Sequence, residues 1–214
     1  MVEKAEKKET FTLKPDFPIR HPMTILIIGA RGSGKTGTAH YLTEQYHLKD
    51  VPCVFLCPQK LKEKAQLAKR APWLKCIDYR YPKMLENTVT LYDDAQLRSH
   101  AREWYKHKAV GLDKIISMSR HGKRTLIMTT QQSYRVDKNI VGDIDMLIIK
   151  KPAIFQKDME RPWLRKIIEH VDTVYDDKFP DDYQEYSYVV CDAYVGWVGP
   201  QPLPEYWTTQ LGDW

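Results

Sequence analysis

Residues 29–36 have the types and the spacing of a loop that binds phosphate groups. They read Gly-Ala-Arg-Gly-Ser-Gly-Lys-Thr, which matches the P-loop pattern Gly-x-x-x-x-Gly-Lys-Thr. Glycines let a backbone curl tightly enough for its N–H groups to point inward at a polyphosphate. Lys35 can then reach the outer phosphates, and the hydroxyl of Thr36 can ligate Mg²⁺. We therefore expect this loop to bind ATP and Mg²⁺; the alternative is a glycine-rich turn with a structural role only.

A strand and a helix are predicted on either side of this loop. Residues 25–28 are a continuous apolar run, Ile-Leu-Ile-Ile, and residues 38–45 have a composition that suits a helix. The start of such a helix offers N–H donors and the positive end of its dipole to a bound phosphate. The residues expected to contact the nucleotide are Gly29, Ala30, Arg31, Gly32, Ser33, Gly34, Lys35, Thr36 and Gly37.

Two carboxylates end a later apolar strand. Residues 88–92 read Thr-Val-Thr-Leu-Tyr, and Asp93 and Asp94 follow. A carboxylate at the tip of a buried strand can hold Mg²⁺ through water, so Asp93 and Thr36 are the expected metal-side residues. Asp94 points elsewhere and can polarise the water that attacks the phosphate. The competing interpretation is that Asp94 caps a helix that begins at Ala95.

A neutral amide follows the next predicted strand. Gln131 comes directly after residues 124–130, and ligands of open α/β sheets bind at the carboxyl ends of the strands. Its amide can hydrogen-bond both a γ-phosphate and the attacking water, which favours Gln131 over Gln132 as a sensor of the nucleotide. The alternative is an ordinary turn built from Gln-Gln-Ser.

The elements that position these residues alternate between strands and helices. Such alternation predicts an α/β fold of three layers, a P-loop NTPase of the additional-strand, RecA-like type with a mostly parallel central sheet. Strands are expected at 11–13, 23–28, 52–57, 74–79, 88–94, 124–130 and 145–149, and helices at 35–46, 60–70, 95–108, 112–121, 136–141 and 163–171. Residues 186–190 and 193–198 resemble paired strands in a short β-rich extension.

The length fits one domain with appendages. We expect an N-terminal arm over residues 1–20 and a single ATPase domain over 21–214, with its core at 23–150 and a C-terminal extension at 151–214. At 43% hydrophobic and 29% charged residues, the composition excludes wholesale disorder. No apolar run approaches membrane-spanning length, and the charged start has no signal-peptide pattern, which indicates a soluble intracellular protein.

Charge is unevenly distributed along the chain. Residues 172–214 carry nine acids and one base, so the remainder holds a net charge of +13 within a total of +5. Between Lys60 and Arg124 there are sixteen basic residues against seven acids. Such an excess is typical of proteins that bind polyanions, although a solvated lysine-rich surface would give the same count.

Residues 119–140 carry a resemblance to a known family. They read Ser-Arg-His-Gly-Lys-Arg-Thr-Leu-Ile-Met-Thr-Thr-Gln-Gln-Ser-Tyr-Arg-Val-Asp-Lys-Asn-Ile. This series of a helix ending in Arg, an apolar strand, Thr-Gln and Arg-Val-Asp is similar to the sensor region of the FtsK/HerA superfamily. With the P-loop and the Asp-Asp pair, the similarity covers about residues 23–150. The short chain resembles most the genome-packaging ATPases of tailless icosahedral, double-jelly-roll viruses, including archaeal ones.

The resemblance implies a motor. It implies a homo-oligomeric ring that hydrolyses ATP, moves double-stranded DNA without regard to sequence, meets capsid vertex proteins, and acts in the host cytoplasm or at the virion vertex. It also implies an arginine that reaches the neighbouring subunit's nucleotide, for which Arg120 is the first candidate, ahead of Arg124 and Arg135. Many members of the family have Glu where this chain has Asp94, so the shorter side chain leaves open which group orients the water.

Three other functions compete with this interpretation. The first is a cellular or conjugative DNA translocase. The second is a small nucleotide or metabolite kinase, which would need an arginine-rich lid that the sequence does not display. The third is a virion component that binds ATP during assembly without much turnover. Stimulation of ATP hydrolysis by double-stranded DNA separates the motors from the other two.

Overall fold

The computed structural model describes residues 11–57, 64–78, 86–93, 122–131 and 142–207. In this part of the chain, nine strands form one sheet: β1 Leu13–Lys14, β2 Thr24–Ile28, β3 Cys53–Cys57, β4 Leu74–Asp78, β5 Val89–Tyr92, β6 Thr125–Thr130, β7 Met146–Ile149, β8 Ser187–Cys191 and β9 Tyr194–Val198. The described helices are α1 Lys35–His47, α2 Lys64–Arg70, α3 Gln156–Met159 and α4 Pro162–Lys178. The helices expected at 95–108, 112–121 and 136–141 fall outside the described residues.

The P-loop strand lies at the middle of the sheet. The strand order is β1-β9-β8-β7-β2-β6-β5-β3-β4, and β7, β2, β6, β5, β3 and β4 all run parallel. β6 therefore separates β2 from β5, the strand that leads to Asp93. This inserted strand confirms the additional-strand sheet expected from the sequence.

Helices cover both faces of the sheet, which confirms the three-layer architecture. Alternate side chains of β2 point to opposite faces, as the period of a strand requires. Ile25 and Ile27 pack with α1 residues such as Leu42 in one hydrophobic core. Leu26 and Ile28 pack on the other face with Leu164, Ile168, Val171 and Tyr175 of α4. Because both faces are covered, β2 is apolar almost throughout and entirely buried.

The C-terminal strands extend the same sheet. β8 pairs antiparallel with β7, β9 pairs antiparallel with β8, and the short β1 pairs parallel with β9. The expected hairpin is therefore present within one residue of its predicted bounds. The division of the chain into arm, core and extension stays a prediction.

One helix is longer than expected. The periodicity predicts a helix over 163–171, whereas α4 continues to Lys178. Its buried positions recur every three or four residues as far as Tyr175, and Pro162 begins the helix at a position where proline is tolerated. The acidic residues of the last turns lie on its solvent side and hide this continuation in the sequence. Among the helices of the described residues, none is both long and apolar enough to cross a membrane.

Candidate functional site

The loop between β2 and α1 has the backbone that its glycines permit. Gly29, Gly32 and Gly34 have φ angles of 154°, 76° and 85°, values that residues with a side chain rarely adopt. A Cβ on Gly29 would lie 2.8 Å from Cβ of Lys150, so the strand end also needs glycine for space. Gly34, in the left-handed conformation, precedes the first turn of α1. The sequence pattern thus corresponds to a loop that curls back over the start of the helix.

Lys35 and Thr36 occupy the first turn of α1. Nζ of Lys35 donates a hydrogen bond to the backbone oxygen of Ala30, at 2.6 Å, which holds the ammonium group across the loop. The backbone N–H of Ala30 donates to the oxygen of Lys151, at 2.9 Å, and so ties the loop to the end of β7. Among the described residues, no side chain caps α1. Its first-turn N–H groups and the positive end of its dipole therefore face the loop, where an anion would bind.

Asp93 lies beside Thr36, as expected from the strand order. The hydroxyl of Thr36 donates to the carboxylate of Asp93, with Oγ1 at 3.0 Å from Oδ2 and 3.2 Å from Oδ1. A second hydroxyl, from Thr129 in β6, donates to Oδ1 at 2.6 Å. Only 6% of Asp93 is exposed, so these two bonds fix the orientation of a nearly buried carboxylate.

Thr129 is a site residue that the sequence analysis missed. Tyr92 pairs with Met128, so the next step of the same register brings Asp93 opposite Thr129. Aligning the ends of β5 and β6 in the sequence would have identified this hydroxyl. A threonine near a strand end carries no chemical signal by itself, because threonine is common in strands.

Oxygen donors suited to Mg²⁺ meet at this point. The hydroxyl of Thr36 and the carboxylate of Asp93 are hard ligands, of the kind that Mg²⁺ takes together with water and phosphate oxygens. Thr129 supplies the outer hydrogen bond that orients the carboxylate. The residues present therefore fit a magnesium ion held between Thr36 and, through water, Asp93.

An open cleft of about 690 Å³ lies in front of the loop. Its walls include the loop, the start of α1, Asp93, Thr129 and Gln131. Gln131 directly follows β6, is exposed and lines the same cleft as Lys35 and Thr36. Of the predicted loop contacts, Arg31, Gly32, Gly34 and Gly37 also line the cleft, while Gly29 and Ser33 are buried beneath it.

Several predicted residues lie outside the described part of the chain. They are Asp94, Arg120, Gln132 and Arg135, so their predicted roles remain predictions. Arg124 is described: it lies just before β6, at the edge of the sheet opposite the loop, and is 7% exposed. That position separates Arg124 from the cleft of its own chain.

The C-terminal segment forms a second wall of the cleft, which the sequence analysis did not anticipate. Asp181, Asp182, Gln184 and Glu185 line it on one side, and Gln201, Pro202, Leu203 and Trp207 on another. Nε2 of Gln184 donates to the oxygen of Gly32, at 2.9 Å. A Cβ on Gly37 would lie 3.1 Å from Cδ2 of Leu203, so this wall contacts both the loop and the start of α1.

Aromatic residues at the end of this segment pack beneath the cleft. The rings of His40 and Trp207 stack with their centroids 3.6 Å apart, and Nδ1 of His40 lies 3.1 Å from the hydroxyl of Tyr206. Burial lowers the pKa of His40 to about 3, so this side chain is neutral. Trp197, Tyr206 and Trp207 all belong to the hydrophobic cores.

The fold is similar to that of viral packaging ATPases of known structure. The DNA-packaging ATPase B204 from Sulfolobus Turreted Icosahedral Virus is 16% identical, with a TM-score of 0.57 over 85% of this chain and 99% of that chain. The genome packaging NTPase B204 from Sulfolobus turreted icosahedral virus 2, in complex with ATP-gammaS, is 14% identical, with a TM-score of 0.56 over 85% and 98%. The same protein in complex with AMPPCP is 17% identical, with a TM-score of 0.52 over 84% and 98%.

These similarities confirm the resemblance at the level of the fold. The likeness extends over nearly the whole length of those proteins. No protein-family model and no curated protein matches the sequence. The chain therefore has the three-layer fold of these packaging ATPases at a sequence identity that establishes fold alone.

Proposed function

We propose that this protein is an ATP-hydrolysing motor that translocates double-stranded DNA and packages a viral genome into a preformed capsid. The observation that carries the hydrolytic part is the contact between Thr36 and Asp93 at the mouth of the loop. A binding loop alone would hold phosphate. A carboxylate fixed beside the loop hydroxyl supplies the metal side of a hydrolytic site.

Binding rests on the loop and α1. Backbone N–H groups of the loop and the positive end of α1 receive the phosphates of ATP, and Lys35 reaches across the loop to the outer phosphates. Thr36 and Asp93 would hold Mg²⁺, which would supply positive charge beside the phosphates. Thr129 keeps the carboxylate of Asp93 pointed at that position.

Hydrolysis is an in-line attack of water on the γ-phosphorus. Catalysis of this reaction is mostly positioning and stabilisation of charge, so no covalent intermediate with the protein is required. Gln131 hydrogen-bonds the γ-phosphate and the attacking water from the tip of β6, and Asp94 polarises that water. Arg120 of a neighbouring subunit stabilises the charge that develops on the phosphoryl group.

The motor part of the proposal rests on the resemblance and on the fold. The similar solved structures are a DNA-packaging ATPase and a genome packaging NTPase from turreted icosahedral viruses. The basic excess between Lys60 and Arg124 would bind DNA through its phosphates, independently of sequence. In this proposal the protein assembles into a homo-oligomeric ring. The ring acts at the capsid vertex, in the host cytoplasm or on the virion.

An ATPase assay with and without double-stranded DNA, over a series of salt concentrations, tests this proposal. DNA should stimulate turnover, and the stimulation should decline steeply as salt rises, because phosphate contacts release counterions. Turnover that requires a small phosphate acceptor and ignores DNA would identify a kinase instead. Slow turnover that DNA does not change would identify an ATP-binding assembly component.

A further inference from the structure

Lys150 is a buried lysine directly behind the P-loop. It follows β7, and none of its surface is exposed. Its backbone N–H donates to the oxygen of Ile28, at 2.8 Å, so the residue is fixed to the end of β2. Burying an ammonium group costs free energy of folding unless its protons are hydrogen-bonded.

All three hydrogen-bond partners of the ammonium group lie on one short stretch. Nζ donates to the oxygens of Gln184 and Tyr186, each at 2.7 Å, and to Oγ of Ser187 at 3.2 Å. An ammonium group has three protons, and this stretch takes all of them. Burial and the charge of Lys35 lower the pKa of Lys150 to about 7, and Glu185 opposes that shift.

The stretch that Lys150 holds lies against the P-loop. Nε2 of Gln184 donates to the oxygen of Gly32, at 2.9 Å. The backbone oxygen of Gln184 would lie 2.9 Å from a Cβ on Gly34. Residue 184 therefore contacts the loop at two of its glycines, although its own side chain is exposed at the edge of the cleft.

A second path leads from the same stretch to α1. Oγ of Ser187 donates to Oε1 of Gln201, at 3.0 Å, and the backbone N–H of Gln201 donates to the oxygen of Glu185, at 2.8 Å. The hydroxyl of Thr38, in the first turn of α1, also reaches Oε1 of Gln201, at 3.4 Å. The ammonium group is thus linked to both the loop and the helix that bind phosphate.

We propose that Lys150 is a positioning residue that fixes residues 184–187 over the P-loop. Through Gln184 and Gln201, these residues hold the loop and the first turn of α1 in the conformation that receives the phosphates. The effect on turnover rests on the proposed function, whereas the effect on the loop itself does not. Lys150 touches neither substrate nor reacting atoms in this role.

The test replaces Lys150 with Met, which keeps an unbranched apolar stem and removes the ammonium group. Lys157→Met removes an exposed lysine of α3 and is the matched control. Hydrogen exchange of peptides covering 29–37 and 180–188 reports on the wall and the loop without nucleotide. ATPase kinetics with ATP and Mg²⁺ then separate KM from kcat.

In Lys150→Met, we expect the backbone amide hydrogens of both peptides to exchange about tenfold faster than in the wild type. The reason is that the three hydrogen bonds from the ammonium group to residues 184–187 are lost. KM should rise about tenfold, while kcat changes less than about twofold, because the groups that act on the γ-phosphate are untouched. Lys157→Met should match the wild type in every measurement. Unchanged exchange, or a lower melting temperature with KM unchanged, would overturn the proposal.

A second variant tests the positioning role of residues 184–187 if Lys150→Met does not fold. Gln184→Ala removes an exposed side chain and its bond to Gly32, and it should raise exchange at 29–37 and raise KM about threefold. Exchange and KM at wild-type values in Gln184→Ala would refute the proposal. If the wild-type protein hydrolyses no ATP, the proposed function fails, and the exchange comparison still decides the role of Lys150.

Discussion

The two walls of the cleft are built in different ways. The loop wall includes backbone N–H groups, the cations Arg31 and Lys35, and a carboxylate held between Thr36 and Thr129. The C-terminal wall consists of neutral amides, acidic side chains and Leu203, and it is attached through the buried Lys150. In the proposals made above, the first wall carries the groups that act on phosphate, and the second holds the first in place.

The largest expected effect concerns the charge on the loop wall. Lys35→Ala should lower kcat for ATP about 10³-fold or more, because it removes the ammonium group that the proposed function places at the outer phosphates. Lys49→Ala removes an exposed lysine just after α1 and should leave kcat unchanged. A Lys35→Ala enzyme with wild-type turnover would show that the loop is not the hydrolytic site.

The next prediction distinguishes the role of the Asp93 carboxylate from that of the Thr129 hydroxyl that orients it. Asp93→Asn should lower kcat about 100-fold, and Thr129→Val about fivefold, because the valine leaves the carboxylate in place but removes one of its two fixing bonds. Thr90→Val, which removes another buried threonine hydroxyl within the same sheet, is the control and should stay near the wild type. Equal losses for Thr129→Val and Thr90→Val would contradict the orienting role. Steady-state kinetics measure all three.

Substitutions at two glycines of the loop can test how closely the loop wall and the C-terminal wall approach each other. Gly32→Ala and Gly34→Ala both force alanine into a left-handed conformation, at φ 76° and 85°. No atom of the described residues lies within 4 Å of a Cβ built on Gly32, whereas a Cβ on Gly34 would meet the oxygen of Gln184 at 2.9 Å. We expect the free energy of unfolding to fall by about 1 kcal/mol in Gly32→Ala and about 2–3 kcal/mol in Gly34→Ala.

Chemical denaturation of the two glycine variants provides that measurement. The difference between them isolates the contact with the C-terminal wall, because the conformational cost is shared. An equal decrease in the free energy of unfolding for both variants would show that the backbone oxygen of Gln184 does not lie against Gly34 as described. Adding Gln184→Ala should not relieve Gly34→Ala, since the clash is with a backbone atom.

The smallest effect tests the packing of His40 under the C-terminal wall. Because the pKa of His40 is about 3 in the folded protein, the unfolded chain binds more protons between that pH and about 6.5. The contribution of the neutral His40 to the free energy of unfolding is therefore fully present above about pH 6.5 and is lost as the pH falls towards the pKa of the folded state. This histidine should account for a loss of about 2 kcal/mol between pH 7 and pH 5.

Denaturation of His40→Gln at both pH values checks this prediction. The variant is expected to be less stable at pH 7 because packing is lost, but its further loss towards pH 5 should be smaller by that amount. His47→Gln, at the last turn of α1, keeps the buried histidine and should retain the full acid dependence. An equal pH dependence in His40→Gln and the wild type would refute the assignment.

The loop wall could be predicted from the sequence because its chemistry is local. Gly29 to Thr36 form one motif, and Asp93 follows a strand whose apolar run marks its burial. The order of strands in such a sheet then places Asp93 and Gln131 at the same edge. These inferences need only the pattern of each element and the rule that parallel strands end together.

The C-terminal wall could not be predicted in the same way. Gln184 and Gln201 carry no pattern of their own, and residues 200–204 are rich in proline and lack periodicity. Lys150 stands in a Lys-Lys-Pro series that suggests a surface turn. It is buried because β7 lies between β2 and β8, which encloses the strand end on both sides. That enclosure depends on residues 34 to 37 positions further along the chain, namely Gln184, Tyr186 and Ser187.

The pairing of β1 with β9 has a consequence for the order in which the molecule assembles. Leu13 pairs with Trp197, so one of the first strands along the chain finds its partner only after the last strand has been made. β2 likewise waits for β6 and β7, which begin about one hundred residues later. Contacts of such long range form slowly, and a nascent chain exposes them meanwhile. During synthesis, the phosphate loop is therefore made before the two strands that flank β2 and before the residues of its second wall.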